Sequence, residues 1–374
     1  MKIALITKDV VPSHGGLERY GAGLAKSLAA LGEEVHLFSG RCDEILPPNI
    51  QHHAVAATKS FWGIRSDDPI RQAVQASGCD LVYALVPYYP TDMYRAGDGV
   101  QAHWMRLKYP WRLTRALAGL MPKRAISLRH ERRLYDPCHC RTIVTNSQLV
   151  KRHIEEYYQF PSSRIHVVYN GVDHSLFCPG NESDQQLWRQ QRQIPDQAML
   201  ILFVAHNWPR KGLDTVLHGA AKLLKSHQAL VVVIGRGNQR QWQAYAHRLG
   251  IADATIRFVP PTSQIVPWYR AADLFVLPTH YDPFANVCLE AMACGLPIIT
   301  TTENGSGELI KPGTNGYLLS TPFRHDELAN HLDHLCDPKL RSDMGREALI
   351  TAHNFTLERN ARETLQVCQA CHSR

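Results

Sequence analysis

The sequence of 374 residues lacks the features that mark membrane-spanning and secreted proteins. No stretch approaches the roughly 18 consecutive apolar residues of a transmembrane helix. Lys8 and Asp9 interrupt the apolar start of the chain, which favours a buried first strand over a signal peptide. We therefore expect a protein that stays in the cytoplasm.

The ten cysteines are scattered and show neither a disulfide framework nor the spacing of a metal site. Cys138-His139-Cys140 is too compact to surround a metal ion, and no Asp-x-Asp pair follows a predicted strand. Cys368-Gln-Ala-Cys371-His372 has the spacing of a haem c attachment site, but that attachment requires export. We therefore expect reduced thiols, no metal and no haem.

Strand and helix patterns alternate in two separate series. In the first, strands are predicted at 2–7 and 34–39 around a helix at 17–31, and further short apolar runs follow as far as 169. The second series runs from 199 to 301, after a polar, Gln- and Arg-rich stretch at 178–197. Such alternation is typical of α/β proteins with parallel sheets. We predict two Rossmann-like, doubly wound domains, 1–177 and 198–355, facing each other across a ligand-binding cleft, with 178–197 as the linker.

Two loops between a strand and a helix suggest anion binding. Gly15 and Gly16 would let a ligand approach the backbone at a helix N-terminus, although such a pair is as often structural. The loop lacks Gly-x-Gly-x-x-Gly, and no acid ends the second strand, so a nicotinamide cofactor is not expected. Arg210-Lys211-Gly212 could neutralise a diphosphate, or could be a solvated surface pair. Gly235 ends the next strand in a further close-approach turn.

The segment 271–300 carries the strongest local signal. A buried strand ends at Pro278, a loop with Asp282 follows, and a helix begins near Asn286. Asp282 and Glu290 are eight residues apart, and each carboxylate can accept two hydroxyl hydrogen bonds from a sugar or a ribose. A capping Asp and an exposed Glu are the alternative, but the apolar neighbours of Glu290 imply burial and hence a partner.

On these motifs the chain resembles family 4 of the retaining GT-B glycosyltransferases over nearly its full length. The resemblance implies that Arg210 and Lys211 bind the donor diphosphate, Glu290 the donor ribose and Asp282 the transferred sugar. The other residues expected at the nucleotide-sugar site are Gly15, Gly16, Gly235, Val259, Phe284, Ala285, Asn286 and Val287. Asp282 departs from the family pattern, in which Glu is usual, and the shorter side chain could alter the choice of donor.

The resemblance also implies a mechanism without metal or other cofactor. Arg210, Lys211 and helix amides would carry the charge of the leaving diphosphate, and front-face displacement would retain the anomeric configuration. Asp98 and His103 are candidates to position the acceptor or the sugar, although a lone histidine is more often structural. The final helix, at about 356–374, is expected to return to the first domain, as in other GT-B chains.

Within the family, Tyr281-Asp282-Pro283-Phe284 and Ala96-Gly97-Asp98-Gly99 resemble the lipopolysaccharide inner-core group, which transfers glucose to a heptose. That resemblance implies UDP-glucose as donor and a lipid-linked glycan as acceptor. GDP-mannose or another UDP-hexose is the alternative donor. A GT-B epimerase and a catalytically silent sugar-nucleotide-binding protein are the rival functions.

The segment His103–Arg133 is strongly basic, with nine Lys or Arg residues against one acid, Glu131. Its aromatic and aliphatic residues alternate with these cations, which suits a segment lying on an anionic bilayer. A nucleic-acid groove has a similar composition, but no nucleic-acid motif accompanies it. A solvated helix packed on its own domain is the other alternative. We expect peripheral binding to the inner face of the cell membrane and no nucleic-acid partner.

Overall fold

The computed structural model describes residues 1–10, 16–43, 45–55 and 69–373. The chain divides into two compact units. Unit 1 combines Met1–Gly171 with Leu357–Arg374, and unit 2 is the continuous stretch Val172–Thr356. The first unit is therefore assembled from two separate parts of the chain.

Unit 1 contains a sheet of seven parallel strands in the order β3-β2-β1-β4-β5-β6-β7. The strands are β1 (Lys2–Ile6), β2 (Glu34–Ser39), β3 (Ile50–Ala54), β4 (Leu81–Ala84), β5 (Thr91–Ala96), β6 (Cys140–Thr145) and β7 (Ile165–Val167). The strand order reverses between β1 and β4, which is the arrangement of a doubly wound sheet.

The helices of unit 1 are α1 (Gly16–Ala30), α2 (Pro69–Ala76), α3 (Gln101–Lys108), α4 (Arg112–Gly119), α5 (Pro122–Leu134), α6 (Gln148–Tyr158) and, from the end of the chain, α14 (Leu357–His372). Alternate residues of β1 enter two different apolar clusters, because side chains of a strand point to opposite faces. Ile3 and Leu5 pack with α1 and α14, and Ala4 and Ile6 belong to the other cluster.

Unit 2 contains six parallel strands in the order β10-β9-β8-β11-β12-β13. The strands are β8 (Met199–Val204), β9 (Ala229–Ile234), β10 (Ile256–Val259), β11 (Leu274–Leu277), β12 (Ile298–Thr301) and β13 (Gly316–Leu319). The helices are α7 (Glu182–Gln191), α8 (Leu213–Leu223), α9 (Gln239–Arg248), α10 (Ile265–Ala271), α11 (Asn286–Ala293), α12 (His325–His334) and α13 (Pro338–Ala352). The order reverses between β8 and β11.

The unit boundaries differ from the predicted domain boundaries. The first unit ends at Gly171 and not at 177, and the stretch predicted as a linker contains α7. Trp188 of α7 packs edge-on against Trp268 at 5.9 Å between ring centroids, and Arg189 pairs with Asp273 at 3.2 Å. Polar composition indicated a linker, but two buried contacts make this stretch part of unit 2.

Several elements were not predicted, among them the strands β3, β5 and β13 and the helices α2, α6, α7, α12 and α13. β5 has the sequence Thr-Asp-Met-Tyr-Arg-Ala, and Arg95 lies buried in it, with its Nη2 donating to Asn170 Oδ1 at 2.6 Å. The polar residues of β5 interrupt the apolar pattern of a buried strand. The partner that allows Arg95 to be buried, Asn170, lies far away in the sequence and could not be recognised locally.

No helix in the described part of the chain is both long and apolar enough to span a bilayer. The cysteines, all of which lie within the described residues, form no disulfide with one another. Cys368 and Cys371 are buried in the apolar cluster beneath α14, and burial raises the pKa of Cys368 to about 12. Their spacing therefore reflects the buried face of a helix.

Candidate functional site

Three of the predicted donor-site residues, Arg210, Lys211 and Asp282, lie where the strand order of unit 2 reverses. β8 and β11 are neighbours in the sheet, and their following loops carry Arg210 and Lys211 on one side and Asp282 on the other. Ligands of open parallel sheets bind at the carboxyl ends of the strands at this switch point. The sheet topology thus brings together residues that are about 70 positions apart in sequence.

Close backbone contacts join the two loops. The carbonyl oxygen of Arg210 accepts hydrogen bonds from the amide of His280 at 2.9 Å and from Oγ1 of Thr279 at 3.3 Å. Gly212 has a φ of +79°, and a Cβ atom there would lie 2.0 Å from the carbonyl oxygen of Pro278. Only glycine permits this approach, which explains the third residue of Arg210-Lys211-Gly212.

Lys211 and Asp282 form an ion pair across the two loops. Both side chains are largely buried, with 13% and 10% of their surface exposed. Asp282 Oδ1 also accepts a hydrogen bond from the amide of Phe284 at 3.2 Å. Removing either partner would leave a buried charge uncompensated, so the pair fixes the position of both side chains.

Glu290 lies in the second turn of α11 and is half-buried. Its Oε2 accepts a hydrogen bond from the hydroxyl of Tyr269 in α10 at 2.9 Å. Burial, together with the nearby Glu290 carboxylate, raises the pKa of Tyr269 well above its usual value. The partner that a buried Glu290 requires is therefore a neutral phenol, which leaves the negative charge of the carboxylate in place.

The start of α11 lies beside Asp282. Ala285 occupies the N-cap position without a side-chain cap hydrogen bond, and Asn286 and Val287 begin the helix. The N-terminal amides and the dipole of a helix favour a negatively charged group at this end. Phe284 and Ala285 are buried, and Asn286 and Val287 are half-buried.

Two cations, Arg236 and Lys211, lie close enough to His206 to act on it. Burial is the main cause that lowers the pKa of His206, and the charges of Arg236 and Lys211 lower it further. Cations grouped in this way suit an anionic ligand.

A cavity of about 250 Å³ opens at the carboxyl ends of β9 and β10. It is lined by Trp208, Gly235, Arg236, Gly237, Gln239, Phe258, Val259, Pro260 and Pro261. Gly235 has a φ of +134°, and a Cβ atom there would lie 1.8 Å from the carbonyl oxygen of Ala205. The rings of Trp208 and Phe258 are 5.4 Å apart, so the cavity has an aromatic wall.

A larger cavity of about 370 Å³ lies between α8 and α12. Its lining residues are His218, Lys222, Phe323, Arg324, His325, Asp326 and Glu327. None of them belongs to the predicted site. The smaller cavity, which includes Gly235 and Val259, is therefore the better candidate for a nucleotide.

The remaining predicted residues belong to unit 1. Gly15 lies outside the described residues, and Gly16 begins α1. Asp98 is exposed in the loop after β5. His103 is buried between α3 and α6, where its ring stacks on His153 with 3.5 Å between centroids. This packing limits direct contact of His103 with a substrate.

Three residues of the unit 2 site were missed from the sequence. Trp208 lines the cavity, Tyr269 holds Glu290, and Asn304 bonds the start of α11. Trp208 stands two residues before Arg210, so an aromatic residue beside a basic loop could have indicated it. Tyr269 and Asn304 lie in other elements, and no local pattern indicates them.

Two family models match the chain and together cover most of it. Residues 14–176 match the model described as Glycosyltransferase Family 4, and residues 184–350 match Glycosyl transferases group 1. The chain is a family 4, group 1 glycosyltransferase. The resemblance predicted from the motifs is thereby confirmed, and so is the prediction of a transferase.

Curated relatives of this glycosyltransferase include D-inositol 3-phosphate glycosyltransferases. The one from Acidothermus cellulolyticus is 33% identical over 228 residues, which are 57% of this chain and 49% of that relative. The chain thus spans about half the length of that relative. The one from Thermobispora bispora is 27% identical over 377 residues, which cover 91% of this chain and 86% of the relative.

Solved structures confirm the predicted GT-B fold of this glycosyltransferase. WaaG, a glycosyltransferase involved in lipopolysaccharide biosynthesis, superposes with a TM-score of 0.80 at 21% identity, covering 98% of this chain and 99% of WaaG. Anabaena Alr3699/HepE in complex with UDP-glucose superposes with a TM-score of 0.73 at 20% identity, covering all of both chains. At these identities the likeness shows the fold alone.

Proposed function

We propose that this glycosyltransferase transfers a hexose with retention of configuration, and that glucose from UDP-glucose is its substrate. The observation that carries the proposal is the junction of the β8 and β11 loops, where Lys211 pairs with Asp282. A cation for the diphosphate and a carboxylate for the sugar meet there, at the switch point of the sheet. The complex of Alr3699/HepE with UDP-glucose supports this choice of donor.

The diphosphate of the donor would bind between Arg210, Lys211 and the start of α11. Arg210 Nε is buried and makes no hydrogen bond to the part of the chain that the structure describes. A buried guanidinium N–H is costly unless an acceptor meets it, and a phosphate oxygen is a strong acceptor. These groups would stabilise the charge that develops on the leaving diphosphate without a metal ion.

The nucleoside would occupy the cavity next to this position. The aromatic wall of Trp208 and Phe258 suits a base, and Gly235 lets the ligand approach the backbone at the end of β9. Tyr269 holds Glu290 in place, and Glu290 would accept hydrogen bonds from the ribose hydroxyls, because each oxygen of a carboxylate can accept more than one hydrogen bond.

The transferred sugar would bind to Asp282. Lys211 and Asp282 neutralise each other in the structure. Binding of the donor would replace this ion pair by one contact of each side chain with the donor. The diphosphate takes the positive charge of Lys211, and the sugar hydroxyls donate to the carboxylate of Asp282.

The reaction would follow a front-face displacement. The bond between the anomeric carbon and the diphosphate oxygen breaks, and the acceptor oxygen bonds to the same face of the sugar. The acceptor hydroxyl gives its proton to the departing phosphate oxygen. Asp98, which is exposed, is the candidate for contact with the acceptor, and the buried His103 would act only through its packing.

We further propose that the acceptor is a lipid-linked glycan and that α4 and α5 rest on an anionic membrane. Trp111, Leu113 and Leu120 are 76%, 73% and 76% exposed. Other exposed apolar residues here are Leu117, Met121 and Ile126, and the exposed cations include Arg112, Lys123, Arg129, Arg132 and Arg133. Exposed apolar and basic groups together favour a bilayer interface over a surface that faces water alone.

The acid of the basic segment points away from this surface. Glu131 is buried, and its carboxylate accepts hydrogen bonds from the amides of Gln101 and Ala102 and from the hydroxyl of Tyr158. Burial raises the pKa of Glu131, and these hydrogen bonds limit the rise. The acid therefore anchors α5 to the start of α3, and the exposed side chains of α4 and α5 carry no negative charge.

A second candidate acceptor is a soluble inositol phosphate. The names of the curated relatives support it, since one of them aligns with 91% of this chain. The lipopolysaccharide inner-core heptose is our first choice because of the exposed basic and apolar surface of unit 1.

The test is release of nucleoside diphosphate from a panel of UDP-, GDP- and ADP-sugars. Each donor is assayed with heptose-terminated lipopolysaccharide core, with D-inositol 3-phosphate and without acceptor, and the Glu290→Gln variant is the control. We expect release from UDP-glucose that depends on the lipid-linked acceptor and is lost in the variant. Turnover with inositol phosphate alone would favour the second candidate. Binding of UDP without turnover of any donor would contradict the transferase and indicate a silent binding protein.

A further inference from the structure

We propose that Asn304 is the positioning residue that holds Asp282 and the start of α11 in register. The inference rests on the proposed function, which assigns Asp282 and Glu290 to the binding of the donor. Asn304 follows β12 and is 1% exposed, so its side chain is closed off from solvent and from the nucleotide sugar. Its effect on catalysis must pass through the groups it bonds.

The side-chain amide of Asn304 bonds in four directions. Its Oδ1 accepts from the amides of Ala285 and Ser306, both at 3.2 Å. Its Nδ2 donates to Oγ1 of Thr300 at 2.9 Å and lies 3.5 Å from Sγ of Cys288. Two backbone N–H groups on one side fix which atom is the oxygen, since only an acceptor can meet them.

The same residue lies opposite Asp282 in an isolated parallel bridge. The amide of Asp282 donates to the carbonyl of Glu303, and the amide of Gly305 donates to the carbonyl of Asp282, both at 2.9 Å. The backbone on either side of Asn304 therefore holds the loop of Asp282, while its side chain holds the N-cap of the helix that carries Glu290.

The contacts of Asn304 constrain the distance between the carboxylates of Asp282 and Glu290 more tightly than the loop that joins these residues does. Three residues, Pro283 to Ala285, separate Asp282 from α11, and such a loop allows several geometries. A fully bonded, buried amide selects one of them. Thr300 extends the support to the sheet, because its Oγ1 donates to the carbonyl of Leu277 in β11 at 2.8 Å.

The chain offers a matched control in Asn315. That residue is 0% exposed in the same unit, and its amide bonds Lys311 N at 2.7 Å, Leu309 O at 3.0 Å and Thr351 Oγ1 at 3.0 Å. Asn304→Ala and Asn315→Ala each remove a buried asparagine with a comparable set of hydrogen bonds. Only the first removes a bond to the loop and helix of the donor site.

The experiment compares kcat, KM for UDP-glucose, the Kd of UDP and the urea midpoint of the two variants and the wild type. We expect both variants to lower the midpoint by a similar amount. Asn304→Ala should lower kcat at least about 30-fold, which corresponds to about 2 kcal/mol of transition-state stabilisation. Its Kd for UDP should rise by a smaller factor than kcat falls, because only the start of α11 and Glu290 lose their support, whereas Arg210, Lys211 and the aromatic wall keep their contacts. Asn315→Ala should keep kcat within about twofold.

Thr300→Val provides a second variant if Asn304→Ala does not fold. It keeps the volume of the side chain and removes Oγ1, which accepts from Asn304 Nδ2 and donates to the carbonyl of Leu277. A smaller fall of kcat and a smaller change of the Kd for UDP than in Asn304→Ala are expected. Equal kcat values for the Asn304 and Asn315 variants would overturn the inference. A wild-type protein that turns over no donor would instead contradict the proposed function, so the two failures are distinguishable.

Discussion

At the scale of single residues, the site of this glycosyltransferase depends on charges that are paired before any ligand binds. Lys211 and Asp282 neutralise each other, and Glu290 is bonded to Tyr269. Each partner lowers the free-energy cost of removing the charged group from water and holds that group in a fixed position. The variants below separate these two effects.

Replacing Lys211 by Ala should destabilise unit 2 and weaken the binding of UDP. Loss of the ammonium leaves Asp282 buried without its counter-ion, at a cost of about 3 kcal/mol in urea unfolding. The Kd of UDP should rise at least about tenfold if Lys211 binds the diphosphate. Asp282→Ala is the matched control: it removes the same ion pair, and its Kd for UDP should not rise. A higher Kd for UDP in both variants would contradict the assignment of Asp282 to the sugar.

Replacing Tyr269 by Phe should reduce kcat/KM for the donor about tenfold. The change removes one hydrogen bond to a carboxylate, worth about 1.5 kcal/mol, and lets Glu290 leave its position. Steady-state rates with varied donor measure the effect. Tyr245→Phe is the control, since it removes a hydroxyl that bonds His218 Nε2 at 2.9 Å in the same unit. Similar losses in both variants would mean that the bond to Glu290 has no special role.

At the scale of secondary-structure elements, α3, α5 and α6 form one packed group in unit 1 while α4 presents its apolar side chains outward. His103 of α3 stacks on His153 of α6, and Glu131 of α5 bonds the first amides of α3. α4 packs on α5, so the buried contacts that hold α5 also support the basic, exposed α4.

Stability should fall with decreasing pH because of His153. Burial lowers its pKa to about 3, and the neighbouring charges of His103, Arg152 and Arg106 contribute. The unfolded chain binds a proton at about pH 6.5, whereas the folded unit does not until about pH 3. The contribution is therefore fully present above pH 6.5 and decreases below it, by at most about 1.4 kcal/mol per pH unit.

Urea unfolding between pH 7 and pH 5 measures this slope. His153→Gln removes the titrating group and should flatten the dependence on pH relative to the wild type. An unchanged slope in the variant would show that other groups dominate the acid response.

Membrane binding should depend on the cations and apolar residues of α4 and α5. Arg112→Gln with Lys123→Gln should weaken binding to vesicles that contain an anionic lipid about 30-fold, at about 1 kcal/mol for each cation. Trp111→Ser with Leu120→Ser should weaken it as well. Co-sedimentation with anionic and with zwitterionic vesicles measures both. Ile350→Ser, which changes a residue of α13 that is 53% exposed, is the control and should bind as the wild type does.

At the scale of the whole molecule, the two units differ in how the chain builds them. Unit 2 is one continuous stretch with its own sheet, whereas unit 1 needs the last helix of the chain. Ala361, Val367, Cys368 and Cys371 of α14 belong to the same apolar cluster as β1 and α1. The stability of unit 1 therefore depends on residues that lie nearly 200 positions beyond its main part.

A fragment of residues 172–356 should fold by itself and bind UDP, because every proposed donor contact except the loop at Gly15 and Gly16 lies within it. A fragment of residues 1–171 should not give a cooperative unfolding transition, because the surface beneath α14 is uncovered. Joining 357–373 to it through a flexible linker should restore the transition. Circular dichroism during heating distinguishes these outcomes, and a cooperative 1–171 fragment would contradict the role assigned to α14.

The sequence by itself determined the parallel α/β class and the division into two units, and it located the loops to which we assign the chemistry. These follow from local rules, since strand and helix periodicity, glycine turns and the Asp282–Glu290 spacing are properties of neighbouring residues. Only the tertiary structure decided that Lys211 pairs with Asp282, that Tyr269 and Asn304 support the site, and that α7 belongs to unit 2. These contacts join residues far apart in the chain, and their free energy depends on burial and distance, which no local pattern contains.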